Sequence, residues 1–539
     1  MLQPRVGKNA FNLSYDKKVS LKFGQLVPIH VQETLPGDIF KGQSQTLLRF
    51  APMMAPIMHR VDVYVHFFYV PNRILWKNWE NWITGNDDEA VPPWFTVPYS
   101  GVYAQNGTVL DHLGMPSSET PGVVYDDVDA DQYPEKQFNA LPVAAYQRIW
   151  YEYYRDQNLE FPDSTVQDCM LVDGENVFQE GTLEEGSMIP SIRYRSWQKD
   201  YFTSALPWPQ KGDMALLPIS GDITMKDPDP NVGTAIRNLS DNSFAAPVGA
   251  NLIKGGSGQF GRETWTTPAE RLYDVWLDSS KKYKLGDSNT TIEDLRRAAR
   301  MQEWLERNAR GGTRYVESIY SHFNERVKDY RLDRPEYIGG GRQRVNISEV
   351  LQTSETNDTP QGEMAGHGIS AGRSGGYNYR CNEHGWIIGI MSVMPKAAYY
   401  QGVPRYFGAR KDRLDYYWPS FAHLGEQAIQ NKELFLDLQS VEVGMEDTFG
   451  YTPRYAEYRM NYSTVAGDFN SSLDFWHLAR KFSNPPALNH QFVHVNDSDV
   501  YGDLDRIFAV KDGTDYLWAH VYHDIMAIRP IPKFAIPTL

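Results

Sequence analysis

Residues 517–528 read LWAHVYHDIMAI and alternate without a break. Leu517, Ala519, Val521, His523 and Ile525 fall on one side, and Trp518, His520, Tyr522, Asp524 and Met526 on the other. A period of two marks a β-strand, because successive side chains point to opposite faces of a sheet. The RPIPKFAIP that follows forbids further pairing, since proline brings no N–H to a ladder. The same pattern recurs near the other end of the chain. Residues 25–33 (QLVPIHVQE) set Val27, Ile29 and Val31 on one face, and residues 61–70 (VDVYVHFFYV) alternate up to a Pro71-Asn72 turn. Residues 386–394 (WIIGIMSVM) make a buried-type strand stopped by Pro395. Strands near both ends, with about 300 residues between them, predict one antiparallel barrel interrupted by very large insertions; two separate barrels are the alternative.

Composition agrees with a loop-rich β protein. Aromatics reach 13% of the 539 residues, and 33 prolines and 42 glycines punctuate many turns. Cys169 and Cys381 are too few for a disulfide framework, so packing must supply the stability and a reducing compartment is expected. The first residues lack the apolar core of a secretion signal. No run approaches the roughly 18 apolar residues of a membrane span, so no membrane insertion is expected.

The intervening chain carries helices. Residues 141–155 (LPVAAYQRIWYEYYR) lack glycine, and residues 291–310 follow a capping-box spacing at Thr290–Glu293 and end at Gly311-Gly312. Between them, residues 213–290 are rich in Pro, Gly, Asn and Asp and read as a long surface excursion.

The net charge of −15 argues at first against a nucleic-acid partner. Its distribution changes the argument. Residues 80–190 hold 21 Asp/Glu against three Lys/Arg, so the acidity is one block. Two stretches lean the other way: Arg5, Lys8, Lys17, Lys18 and Lys22 near the start, and Lys396, Arg405, Arg410, Lys411 and Arg413 downstream. Such polarity fits one surface for nucleic acid and another for solvent; a harmless scatter of surface charge fits as well. The segment 405-RYFGARKDR-413 interleaves cations with rings, which suits either unpaired bases or a subunit interface.

Enzyme motifs fail individually. Residues 256–261 (GSGQFG) match a dinucleotide fingerprint literally, but RETWTTP follows and is a poor helix start. Asp127, Asp129 and Asp131 have the alternating spacing of a calcium loop, yet Gln132 and Phe138 stand where glycine and glutamate are needed; only a looser cation site remains. His520 and His523 point to opposite faces of one strand, and neither they nor His490 and His494 have a cysteine nearby. No cofactor is expected. A β-sandwich carbohydrate-binding protein or glycoside-active enzyme is the competing class, marked by a convergent acid pair or an aromatic-lined cleft.

Several stretches resemble one family. FNLSYDKKVSLKFGQLVPIHVQETLPGDIF and FAPMMAPIMHRVDVYVHFFYVPNRILWKNWENWITG are similar to the N-terminal region of microvirus major capsid proteins, notably the gokushovirus branch. Residues 193–212, 291–323 and 409–429 resemble it too, while 213–290 matches weakly. The resemblance implies an eight-stranded antiparallel jelly-roll barrel with very long helix-containing insertions. It also implies a sixty-subunit T=1 shell, built through pentamers around circular single-stranded DNA. Its partners would be a small basic DNA-binding protein, scaffolding and pilot proteins, and a host surface receptor. On this basis residues 1–24 are expected as a basic arm whose Lys8, Lys17, Lys18 and Lys22 face DNA. Residues 25–70 and 380–539 are expected as barrel, and 71–379 as insertions. Residues 213–290 are expected as a threefold protrusion that meets the host, with Trp265 and Trp276 among its contacts.

Overall fold

The computed structural model describes residues 7–87, 89–95, 105–121, 123, 137–160, 170–174, 192–213, 292–312, 314–351, 364–437, 444–495, 503–509 and 514–534. Four short strands, Ile223–Thr224, Leu252–Lys254, Phe260–Arg262 and Lys284–Leu285, are described in backbone alone. The chain divides into two compact units, Met1–Lys211 with Glu306–Leu539, and Gly212–Leu305.

The first unit is built on one antiparallel sheet of ten strands. They are β1 (Asn9–Asn12), β2 (Tyr15–Leu21), β3 (Val27–Thr34), β4 (Ile39–Phe50), β5 (Val61–Pro71), β6 (Glu336–Arg344), β7 (Asn346–Leu351), β8 (Met364–Arg380), β9 (Gly385–Pro395) and β10 (Leu517–Arg529). The hydrogen-bonded order is β1-β10-β4-β8-β6-β5-β9-β3, with β2 also on β10 and β7 also on β8. The sheet curls: the Tyr15 hydroxyl of β2 lies 2.8 Å from His30 Nδ1 of β3, although these strands sit at opposite ends of the order.

The alternation in β10 is complete. Leu517, Ala519, Val521, His523, Ile525 and Ala527 are buried, and every residue between them is exposed. The inward set packs with Leu48 of β4, Val19 of β2 and the β5 residues Val63, Val65 and Phe67 in the interior of the curl. β5 and β9 are buried on both faces. Their second face, with Phe68, Val70, Ile388 and Ile390, is covered by the helix α1 (Leu141–Ile149), to which Val143, Ala144 and Tyr146 contribute. Double burial explains why 386–394 reads as a continuous apolar run. Tyr146 secures the contact by donating its hydroxyl to Leu26 O at 2.9 Å. Beyond Ile149 the helix loosens into one wide π-type turn, Trp150–Tyr154.

The sheet takes in more chain than the sequence reading assigned to it. Residues 9–12 and 15–21, expected within a basic arm, are paired on β10. β6, β7 and all of β8 but its last residue, Arg380, fall in 71–379, the range expected to be insertions. Ten strands appear where eight were expected because one stretch of strand is divided at Leu13-Ser14 and another at Val345, between β6 and β7.

The unit Gly212–Leu305 encloses the whole of the expected excursion 213–290. Its described parts are two antiparallel strand pairs and the first turns of the helix Ile292–Arg310, here α2.

Candidate assembly and nucleic-acid surfaces

Burial and pairing separate the basic residues singled out from sequence. Lys17 turns away from solvent: its ammonium donates to Pro28 O at 3.0 Å and to His112 O, and burial pulls its pKa down to about 8. Lys8 donates to Gly37 O at 2.6 Å. Lys18 is exposed, Lys22 is half-buried, and neither has an ion-pair partner among the described residues.

The downstream group is mostly neutralised within the subunit. Arg405 meets Glu433 at 2.7 Å and Glu457 at 3.7 Å, Arg410 meets Glu457 at 2.9 Å, and Lys411 meets Glu446 at 2.7 Å. Arg413 alone of the four is exposed without an ion-pair partner among the described residues.

The Arg405 and Arg410 pairs line a cavity of about 400 Å³ together with Tyr201, Tyr406, Tyr416, Tyr458 and Tyr462. Two glutamates in an aromatic pocket are the arrangement a glycoside-active site would show. Here both carboxylates are already occupied. Burial pushes the Glu433 carboxyl up, against the pull of Arg405 and a 2.9 Å hydrogen bond from the Tyr201 hydroxyl. Glu457, despite burial, is held below its ordinary range by hydrogen bonds from Arg410 and Gln427. Neither is a free acid or base, so the pocket is a structural ion-pair network.

The stretch from Tyr406 to Leu424, which lends Tyr406 and Tyr416 to this pocket, is unusually apolar for a surface. Phe407 is 77% exposed and Tyr406 66%, and Leu414, Tyr416, Tyr417, Trp418, Leu424 and Tyr458 are each about half exposed. Elsewhere Leu295, Met301 and Trp304 of α2 are about half exposed, and Tyr315 and Phe323 of the helix Tyr315–Phe323 (α3) are mostly exposed.

A second set of residues lies inside the curl. His523 is 1% exposed; its Nε2 donates to Ile29 O at 3.0 Å while Nδ1 accepts from the Ser44 hydroxyl at 2.7 Å. His30 sits between Tyr15 and Tyr377, and the imidazole centroids of His30 and His523 are 5.1 Å apart. These are satisfied structural histidines, while His520 on the other face pairs with Asp16 at 2.8 Å. No group of side chains among the described residues is arranged to hold a metal. Asp127, Asp129, Asp131, Cys169, Trp265 and Trp276 lie outside the described residues.

A curled antiparallel sheet with insertions between its strands, carboxylates tied up in ion pairs and broad aromatic patches left uncovered define a structural subunit made to be packed against other surfaces. The whole chain agrees. Residues 2–539 match the family described as capsid protein (F protein), and the chain belongs to it. It is 32% identical to capsid protein VP1 of Chlamydia phage 1, covering 99% of this chain and 96% of the relative. It is 33% identical to capsid protein VP1 of Bdellovibrio phage phiMH2K, over 98% and 95%. It is 30% identical to capsid protein VP1 of Spiroplasma virus 4, over 96% and 92%. The chain is thus a phage capsid protein and a component of the virion, with a structural rather than a catalytic role. No described helix is long and apolar enough to cross a membrane.

Proposed function

We propose that this capsid protein assembles through pentamers into a sixty-subunit T=1 shell around circular single-stranded DNA. Assembly would take place in the bacterial cytoplasm with a scaffolding protein, a pilot protein and a small basic DNA-binding protein. The observation that carries this reading is the apolar surface of the single chain, above all the rings from Tyr406 to Trp418 with Tyr458. Patches of this kind on a soluble subunit mark contacts with other chains, and obligate interfaces are large and rich in aromatic residues and arginine. The strand order supports an eight-stranded jelly roll. Counting β1 and β2 as one edge and leaving β7 aside, it runs first, eighth, third, sixth, fifth, fourth, seventh, second. Two Greek keys folded over one another give this order. Sedimentation of the purified chain at micromolar concentration should show pentamers or shells and little monomer. A well-behaved monomer would count against the reading.

Residues 213–290 are proposed as the threefold protrusion that meets the host receptor, with Trp265 and Trp276 among the contacts. Support comes from the division of the chain into compact units, which sets Gly212–Leu305 apart from the sheet-bearing unit. Loop-closure cost grows slowly with length, so replacing the segment by a short Gly/Ser linker should leave the sheet foldable. The expected result is particles, in reduced yield, that fail to adsorb to host cells. Particles that adsorb normally would remove the receptor role.

A further inference from the structure

The outward face of β2, β10, β4 and β8 is continuous, and the register fixes which residues stand side by side on it. Trp518 lies opposite Arg49, and Arg49 opposite Ile369. One row further, Lys18 lies opposite His520. In the next row Tyr522 neighbours Gln45, which neighbours Arg373. Met526 then stands opposite Lys41, and Ile528 leads through Ile39 to Arg380. Neighbouring strands are about 4.8 Å apart and same-face residues along a strand about 6.8 Å, so these side chains form one lattice of near neighbours.

Two properties distinguish this lattice. First, Lys18, Lys41, Arg49, Arg373 and Arg380 are all exposed, and none has an ion-pair partner among the described residues. The two carboxylates on the same face are engaged: Asp16 pairs with His520, and Asp524 accepts from the Ser14 hydroxyl at 3.3 Å. In a chain with a net charge of −15, five unpaired cations in one place are a concentration of charge that an external anion would satisfy. Second, large side chains stand exposed between the cations. The Trp518 ring is 49% exposed and is held in place by its indole N–H, which donates to Asp515 O at 3.0 Å. Tyr522 and Met526 follow it along the strand.

We infer that this face binds single-stranded nucleic acid, with phosphates on the five cations and unpaired bases stacked on Trp518 and Tyr522. The rings select the single strand, because a duplex keeps its bases stacked inside and offers only phosphates, whereas every unpaired base presents a π-face. This rests on the proposal that the shell encloses single-stranded DNA, and it moves the DNA-binding surface from the ion-paired 405–413 segment to the sheet.

The test is anisotropy of a labelled oligo-dT against the purified full-length chain over a range of salt. The triple variant Lys18→Gln/Arg49→Gln/Arg373→Gln should lower the slope of log affinity against log salt by about 2, at about 0.7 for each phosphate no longer neutralised. Trp518→Ala should weaken binding about tenfold with little change in slope, since it removes a stacking surface and no charge. All four side chains point to solvent, and thermal melts should confirm that the variants remain folded. Unchanged slope and affinity in folded variants would overturn the inference while leaving the capsid reading intact. So would loss of particle assembly with oligonucleotide binding unaltered, which would make this face a subunit interface.

Discussion

Lowering the pH from 7 to 4 is expected to unfold the subunit steeply, because burial depresses several of its histidines: His523 and His30 inside the curl, and also His59, His66 and His112. Burial takes the His523 pKa from 6.5 to about 4. Burial, with His523 and Lys17 nearby, holds His30 well below its ordinary value. Both imidazoles are therefore neutral in the folded chain. Above pH 6.5 the unfolded chain is neutral there too, and the full stability is present. Below 6.5 the unfolded chain takes up protons that the fold refuses, so stability falls with each step down until the folded pKa is reached near 4. For His523 alone, the fall from 6.5 to about 4 amounts to about 3 kcal/mol. That is a large part of the roughly 5–15 kcal/mol that holds a domain together. The second charge would lie beside the first, so the two losses reinforce one another. Urea midpoints followed by tryptophan fluorescence at fixed protein concentration should drop sharply between pH 6.5 and 4.5. His523→Gln can keep the hydrogen bonds to Ile29 O and Ser44 without titrating. It should start less stable at pH 7 and lose about one proton's worth of pH dependence. Equal midpoints at pH 7 and 4.5 in the parent chain would sink the account.

The same polar interior explains which strands were legible in the sequence. β10 was readable residue by residue because its inward positions are almost all aliphatic and its outward ones are not. β5 and β9 were readable as apolar runs because both faces are covered. β4 and β8 were not. Their inward positions include Gly42, Ser44 and Thr46 on one strand and Ser370 and Ser374 on the other. These pair across the sheet: Thr46 Oγ1 lies 2.7 Å from Ser374 Oγ, and Gln343 Nε2 donates to Ser370 at 2.8 Å. Hydroxyls satisfied by hydroxyls leave no hydrophobic period to detect. The surfaces were less legible still. The segment 405–413 read in sequence as open to either unpaired bases or a subunit interface because Glu433 and Glu457, which neutralise Arg405 and Arg410, are distant in the chain. The lattice of Lys18, Arg49, Arg373 and Trp518 is assembled from four strands far apart in sequence, so only the register brings it together. For the three aspartates of the acidic block and for Trp265 and Trp276 the structure gives no placement to compare.

Gly341→Val is expected to abolish the folded subunit, whereas Gly372→Ala, on a strand of the same sheet, should be tolerated. The difference lies in how β6 meets β8. A single residue pair in register, Gly339 with Tyr377, joins them, and around it two glycine runs approach backbone to backbone. A Cβ on Gly341 would stand 2.6 Å from Ser374 O and 2.9 Å from Gly375 Cα; one on Gly339 would stand 2.3 Å from Gly376 O. Gly375 has φ +136, a conformation side chains rarely adopt, and its own Cβ would meet Gly341 N at 2.6 Å. None of these neighbours is the tip of a flexible side chain that could swing aside. The strands would have to part, and β6 and β8 lie next to each other in the middle of the hydrogen-bonded order. Overpacking typically costs about 1–3 kcal/mol and occasionally more, and here it would also separate β1-β10-β4-β8 from β6-β5-β9-β3. At Gly372 the nearest atom to an added Cβ is Gln343 Oε1 at 3.6 Å, an ordinary distance to a mobile group. Soluble yield and near-ultraviolet dichroism of the two variants decide the matter. Similar yields and spectra for Gly341→Val and Gly372→Ala would mean that the close approach of the two glycine runs is not what holds the halves of the sheet together.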